Sequence, residues 1–226
     1  MTYPLHNPVW EALSTHQVFF NLGNDMLKYY PADICPFVGL NNWHDKDFAL
    51  LESALPANRT FSVPFYKEIH FPDAFEVLFA IPLYQMICNH FHPVEKSTQH
   101  IVPLTEEHIP QMLTLTEQTK PGPFYQRTIE FGNYHGIFDG DKLVSMAGQR
   151  MQTHTHTEVS AICTDPAYSG RSYAKMLTSH ICSLIIDAGK IPFLHVRQDN
   201  TSAIGLYKKL GFEISTEIFF AVFKKK

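Results

Sequence analysis

The sequence predicts an α+β protein: a mixed, mostly antiparallel sheet flanked by helices. Three observations point there. From His100 onward, short apolar runs alternate with amphipathic segments in the order β-α-β-β-β-α-β-α-β. Between two of these runs, Asp139-Gly140-Asp141 reads as a hairpin turn, which sets its strands antiparallel. Gly189 and Gly211 stand just past two helical patterns, where glycine commonly ends a helix.

Taken in order, Pro4 to Tyr30 is helical in part, with Trp10, Leu13, Val18, Phe19 and Leu22 near helical spacing, and Tyr30-Pro31-Ala32-Asp33 breaks the pattern. Strand-like runs follow at Phe61 to Phe65 and Phe75 to Ile81, with turn signals at Asn58 and Pro72-Asp73. The polar stretch Val94-Glu95-Lys96-Ser97-Thr98-Gln99 after Pro93 is a candidate linker, dividing the chain into residues 1–98 and 99–226. Ile101 to Leu104 is a short strand, and Thr105 caps a helix whose apolar face is Ile109, Met112, Leu113 and Leu115. Lys120-Pro121-Gly122-Pro123 ends that helix. Tyr134 to Phe138 and Lys142 to Met151 form the hairpin, and Thr157 to Thr164 is a third strand stopped by Asp165-Pro166. A helix from Gly170 to Ala188 turns Ala174, Leu177, Ile181, Leu184 and Ile185 inward. After a strand at Ile191 to Val196, a second helix spans Thr201 to Leu210, with Ala203, Leu206, Tyr207 and Leu210 facing in. Ile214 and Glu217 to Phe223 supply closing strands.

Composition excludes several classes. In 226 residues, 45% are apolar and 18% charged, which is a globular rather than a disordered chain. The 22 acidic residues exceed the 18 basic ones, arguing against a nucleic-acid partner. No apolar run reaches the roughly 18 residues that span a bilayer, and the N-terminus lacks a basic start and apolar run. A cytoplasmic protein without a membrane partner is expected, as monomer or homodimer. Cys35, Cys88, Cys163 and Cys182 form no CxxC pair and read as buried small hydrophobes. His90 with His92, and His154 with His156, stand at i, i+2, but no third ligand accompanies them; no metal is expected. Around the second pair, Thr153, Thr155 and Thr157 read as a polar outward face.

Two segments carry chemistry. Thr164-Asp165-Pro166-Ala167-Tyr168-Ser169-Gly170-Arg171-Ser172-Tyr173-Ala174 is a strand end, tight turn and helix start. Amides at such a turn lack intrahelical partners and carry the positive end of the helix dipole, an anion cradle for a diphosphate. About thirty residues later, Asn200-Thr201-Ser202-Ala203-Ile204-Gly205-Leu206-Tyr207-Lys208-Lys209-Leu210-Gly211-Phe212-Glu213 is a capped amphipathic helix with a glycine stop. The pair resembles the GNAT superfamily, N-acetyltransferases that use acetyl-CoA, over about residues 100 to 226. The second segment is close to the family's characteristic helix. In the first, the family pattern Q/R-x-x-G-x-G/A falls on Ser169, Ser172 and Ala174, and only the last conforms. The Tyr173-Ala174 ending and the preceding half resemble the branch related to glycine N-acyltransferases, whose first half is a diverged copy of the same fold.

The resemblance implies an acyl-CoA N-acyltransferase fold and an acetyl-CoA-dependent N-acetyltransferase, with acetyl-CoA as cosubstrate and a primary amine of a small molecule, amino acid or peptide as acceptor. Strand 157–164 should splay from strand 191–196, with the pantetheine arm hydrogen-bonded to main chain at Ile162, Cys163 and Thr164. The diphosphate should rest on Ser169, Gly170, Arg171, Ser172, Tyr173 and Ala174. Loss of the family's Arg or Gln at Ser169 removes one hydrogen bond to phosphate, about 1.5–3 kcal/mol if charged. Asn200 and Ala203 complete the cofactor contacts, and Tyr207 sits where the family places the acid for the departing thiolate. Glu158 is the candidate general base or else an exposed strand carboxylate, with His154 and His156 in reserve. Cys163 lies near the expected thioester and reads as packing. The rival reading is a non-catalytic module of the same fold that senses CoA or serves as a partner surface.

Overall fold

The computed structural model describes residues 4–44, 47–57, 59–94 and 100–226. The first segment, up to residue 94, holds α1 (Pro8–Ser14), β1 (Leu27–Tyr29), β2 (Val38–Leu40), α2 (Phe48–Ala54), β3 (Thr60–Phe65) and β4 (Phe75–Ile87). The second holds β5 (Val102–Pro103), α3 (Ile109–Thr119), β6 (His135–Asp139), β7 (Lys142–Gln152) and β8 (His156–Thr164), then α4 (Tyr173–Asp187), β9 (Ile191–Arg197), α5 (Thr201–Lys209) and β10 (Glu213–Lys225). Eight strands form one mixed sheet in the order β3-β10-β4-β9-β8-β7-β6-β5, in which only β8 and β9 pair in parallel. The α+β architecture read from the sequence is the one observed.

Local chemistry accounts for the boundaries. Thr105 and His108 form a reciprocal cap, the Thr105 amide donating to His108 Nδ1 at 2.9 Å, and one turn later α3 begins. Lys120 ends α3 in the left-handed region, at φ 49°. Asn200 accepts from the Ala203 amide at 3.1 Å and caps α5, and Asp165 accepts from the Ala167 amide at 2.9 Å to fix the turn before α4. One sheet face packs Leu177, Ile181 and Ile185 of α4 against Val159, Leu194 and Val196. Each such buried side chain contributes about 1.5–3 kcal/mol. On the other face, Leu5, Val9 and Leu13 around α1, with Met112 and Leu115 of α3, cover Met146, Cys163 and Phe193.

Several elements differ from the sequence reading. The closing strands are one strand, β10, with a register shift between Ile214 and Thr216. On α3, Thr116 is buried where Leu113 was expected, and Leu113 is half-buried. Thr153 and Thr157 are buried rather than outward, because the β7–β8 connection folds back on itself: the His156 amide donates to Thr153 Oγ1 at 2.9 Å. The expected linker at Glu95 to Gln99, and the turn signal at Asn58, lie outside the described residues. A division at residues 98 and 99 does not divide the sheet: β4 lies between β9 and β10. The first segment's other paired strands are β3, on the far edge, and the small β1–β2 ladder. Among the described residues no helix is long and apolar enough to cross a membrane.

Candidate active site

β8 and β9 pair at His156 with Ile191, Thr157 with Pro192 and Glu158 with Phe193, and at no later position. Beyond that rung the strands part, as the resemblance implied. β9 keeps its other edge paired with β4, from Phe193 with Ile87 to Arg197 with Leu83. On β8, Ala161 has φ 51°, and the β7 partners step from Gly148 opposite Ser160 to Met146 opposite Cys163. A non-glycine residue held there costs about 1–2 kcal/mol, and the bulge swings the main chain of residues 161–164 out of the regular ladder.

The split leads to the start of α4. Gly170 (φ 79°) and Ser172 (φ 63°) turn the chain, and α4 begins at Tyr173 with no side-chain cap on its first amides. A cavity of about 620 Å³ adjoins them, lined among others by Thr164, Ser169, Lys175, Gly205 and Lys209. A Cβ added at Gly170 or Gly205 would meet nothing within 4 Å, so the floor is open on both sides. Ser169 and Ser172, which lack the family's residues, are exposed and do not fill it. Free amides, the dipole of a 15-residue helix and three cations, Arg171, Lys175 and Lys209, make this space suited to a polyanion such as a diphosphate. Arg171 lies over the Tyr168 ring at 4.7 Å, and the Tyr168 hydroxyl donates to Asp139 at 2.7 Å, so the turn is braced from below.

Other expected residues fall as follows. Ile162 and Thr164 are half-buried along the split, while Cys163 faces the core, where burial pushes its thiol up to about 12. The Cys163 carbonyl accepts from Ser145 Oγ at 2.8 Å, and Ser145 Oγ also meets Thr164 Oγ1 at 2.7 Å. That carbonyl already has a partner, and Ser145, invisible as a site residue in the sequence, fixes it. Tyr207 is buried against Phe212, and burial raises its phenol above the ordinary value, away from an acid that gives up its proton freely. Asn200 and Ala203 meet in the α5 cap.

Glu158 departs from both sequence readings. It is fully buried, and Arg150 donates to both its oxygens, at 2.7 and 2.6 Å. His195 Nδ1 lies 2.8 Å from Glu158 Oε1. Burial alone would raise the carboxyl, but the charge and hydrogen bonds of Arg150, joined by His195, outweigh it and hold the group at about 2. With both oxygens engaged and the residue fully buried, Glu158 presents no open carboxylate oxygen to an amine. Gln85 on β4 closes the network: its Nε2 donates to the Leu5 carbonyl at 2.9 Å and faces His195 Nε2 at 3.1 Å. The His195 ring proton therefore sits on Nδ1, toward Glu158. His154 and His156 do not reach the split: His156 is the β8 residue in the first rung with β9, and His154 stacks near His16. Arg150, His195 and Gln85 were missed because the contacts span 8, 37 and 110 residues of sequence.

A solved GNAT-family structure from Novosphingobium aromaticivorans superposes with a TM-score of 0.92 at 30% identity, covering 99% of each chain. This chain belongs to the GNAT family. The family model for FR47-like protein matches residues 134–221. A GCN5-related N-acetyltransferase from Kribbella flavida shares the fold, at TM-score 0.61, 11% identity and 95% coverage of both chains. The N-alpha-acetyltransferase RimI of Mycobacterium tuberculosis is 36% identical over 84 residues, 36% of this chain and 52% of that protein. An uncharacterized Mycobacterium leprae protein is 40% identical over 83 residues, 23% of its length, so this GNAT chain spans at most about half of the curated relatives it matches.

Proposed function

We propose that the protein transfers the acetyl group of acetyl-CoA to a primary amine by direct attack of the amine on the thioester. The observation that carries this reading is the parting of β8 and β9 beyond Glu158, which opens beside a cation-lined cavity at the uncapped start of α4. The amides of Gly170 to Ala174 hold the diphosphate, and Lys175 and Lys209 supply the charge that Ser169 does not. Main-chain groups at Ile162 to Thr164 hold the pantetheine arm, and an amide of the bulged segment faces the developing oxyanion. Bound there, acetyl-CoA supplies an activated carbonyl and a thiolate leaving group, and the proton lost from the amine nitrogen passes to water as the C–S bond breaks. Tyr207 stabilises the departing sulfur by a hydrogen bond rather than by full proton transfer, because its phenol is raised.

The state of Glu158 bears on the acceptor. With both oxygens locked to Arg150, Glu158 is engaged in the fold rather than turned to an acceptor amine. A lysine-type amine of pKa near 10.4 is neutral to about 0.04% at pH 7, whereas an α-amine near 8 is neutral to about 10%. The acceptor is therefore the α-amine of an amino acid or peptide, a reading supported by the RimI relative, an N-alpha-acetyltransferase by name.

The test has two steps. Acetyl-CoA at 100 times its dissociation constant should stabilise the protein by about 2.7 kcal/mol in a thermal shift; no shift at millimolar ligand overturns the reading. Thiol release is then followed over amines at varied pH. With a peptide α-amine, kcat/KM should level off above about pH 8. A side-chain amine turned over faster at pH 7 would refute the α-amine assignment.

A further inference from the structure

β4 is paired with β10 along its length, from Phe75 with Lys225 to Ile87 with Glu213, but with β9 only from Leu83 to Ile87. β9 ends at Arg197, opposite Leu83, so residues 75–82 face no strand on that side. Among the described residues, no turn, loop or cap bond reaches the main chain of 76–82. The result is an open row about 26 Å long, at about 3.3 Å per residue. Val77, Leu78 and Phe79 are 42, 44 and 50% exposed, and successive strand residues point to opposite faces, so the row is apolar on both.

Bare edges are commonly blunted by charged side chains or by a cover. Here Glu76 is the one charged residue of 75–82, and it is drawn to Lys224 of β10 at 3.0 Å. An edge of this kind has one class of complement, because its N–H and C=O groups at strand spacing are met together only by another extended main chain.

Its place in the sheet says which chain. The row continues the line of β9, one wall of the split, and the β8–β9 register, carried on from Glu158 opposite Phe193, sets Ile162 level with Arg197. A chain lying antiparallel to β4 starts at the Leu83 end and runs toward Phe75. Its N-terminus then lies at the end of β9, about one strand spacing, or about 5 Å, from the split. A parallel chain would bring its C-terminus there instead. Direction thus couples the edge to an α-amine.

We propose that residues 75–82 bind the acceptor as an added antiparallel strand, the first one or two residues of a peptide crossing the end of β9 and the next ones pairing with β4. The proposal rests on the α-amine reading above and narrows it: the acceptor is an extended peptide with apolar residues behind its N-terminus, rather than a free amino acid.

Binding is read first, without turnover. An N-acetylated heptapeptide of alternating valine and threonine, labelled at its C-terminus, is titrated with the full chain and followed by fluorescence anisotropy. Binding should saturate. Methylating one or the other of two successive central amides should weaken it about fivefold in one case only, since alternate residues face β4. Phe79→Lys, with a cooperative urea transition to show that it is folded, should weaken it about tenfold. Thiol release then compares the free-amine heptapeptide with a valine–threonine dipeptide; KM should be about tenfold lower for the longer acceptor, with kcat little changed. No saturable binding up to the solubility limit, equal effects of the two methylations, or an unchanged dissociation constant in Phe79→Lys overturns the proposal, and the α-amine reading survives that failure if the dipeptide releases thiol. Peptide binding without thiol release from either acceptor defeats acyl transfer itself, and with it the peptide's assignment as acceptor. A dimer in sedimentation velocity that Phe79→Lys disperses gives the edge to a second copy and also overturns the proposal.

Discussion

Replacing Glu158 by Gln separates the two roles that its position allows. Holding the carboxyl at about 2 rather than 4.5 corresponds to about 3 kcal/mol in favour of the charged form. The substitution removes that and leaves the Arg150 guanidinium, only 12% exposed, opposite a neutral amide. Breaking one half of a buried pair costs about 3–5 kcal/mol. Urea unfolding at pH 7.5 should therefore show a loss of that size. The pH dependence has a fixed sign: because the folded value lies below the unfolded one, the stabilisation is complete above about pH 4.5 and is lost as pH falls through about 2. Wild-type stability should decline across that window, with a shallower decline in Glu158→Gln. Adding Arg150→Met to the variant should restore most of the loss, since no unpaired charge then remains. A loss below about 1 kcal/mol in the single variant, together with disappearance of the acidic limb of the pH–rate profile, would refute this reasoning and return Glu158 to the role of base.

Three further outcomes are expected. Gly205 sits inside α5, where Cβ space is open toward the α4 cavity; Gly205→Ala should stabilise the free protein by about 0.5–1 kcal/mol in urea unfolding, while Gly205→Leu should weaken acetyl-CoA protection in the thermal shift. Tyr207→Phe should lower kcat far more than it raises the dissociation constant of acetyl-CoA measured by calorimetry, and equal loss of both would refute a role at the departing sulfur. All four cysteines are buried, and burial pushes Cys35 and Cys163 up to about 12. A disulfide reagent at pH 8 should therefore detect no thiol in the native chain and four after unfolding, which also leaves thiol-release assays free of background.

What the sequence made legible was local. Hairpin turn, helix caps and glycine stops depend on residues within a few positions of one another, so Asp139-Gly140-Asp141, Thr105 and Asn200 announced their elements directly. The turn entering α4 was readable for the same reason. Buried polar groups were not. Glu158 looks like any alternating strand carboxylate until Arg150, in the neighbouring strand, and His195, across the parallel rung, are brought to it by the register. Thr153 and Thr157 show the converse error: polar residues at strand spacing suggested a wet face, but both are buried, and the Thr153 hydroxyl is paired internally with the His156 carbonyl and amide. The length of β10 was hidden by Ser215-Thr216, whose polarity interrupts the period where the register shifts.

Placement of β4 explains why the motifs of the second segment are insufficient by themselves. β9 is one wall of the split, yet it pairs with β8 at three positions and with β4 at five. A strand freed from one neighbour needs a rigid ladder on its other side, or it would close back onto β8 and cover its own amides. That ladder comes from residues 83–87, which β10 in turn holds along nearly its whole length. Gln85, on the same stretch, ties the ladder both to His195 and to the Leu5 carbonyl, so the first segment supports the wall and fixes the polar network at the base of the split. The opening between β8 and β9 is thus a property of the whole sheet, and the residues that keep it open stand far from those that announce it.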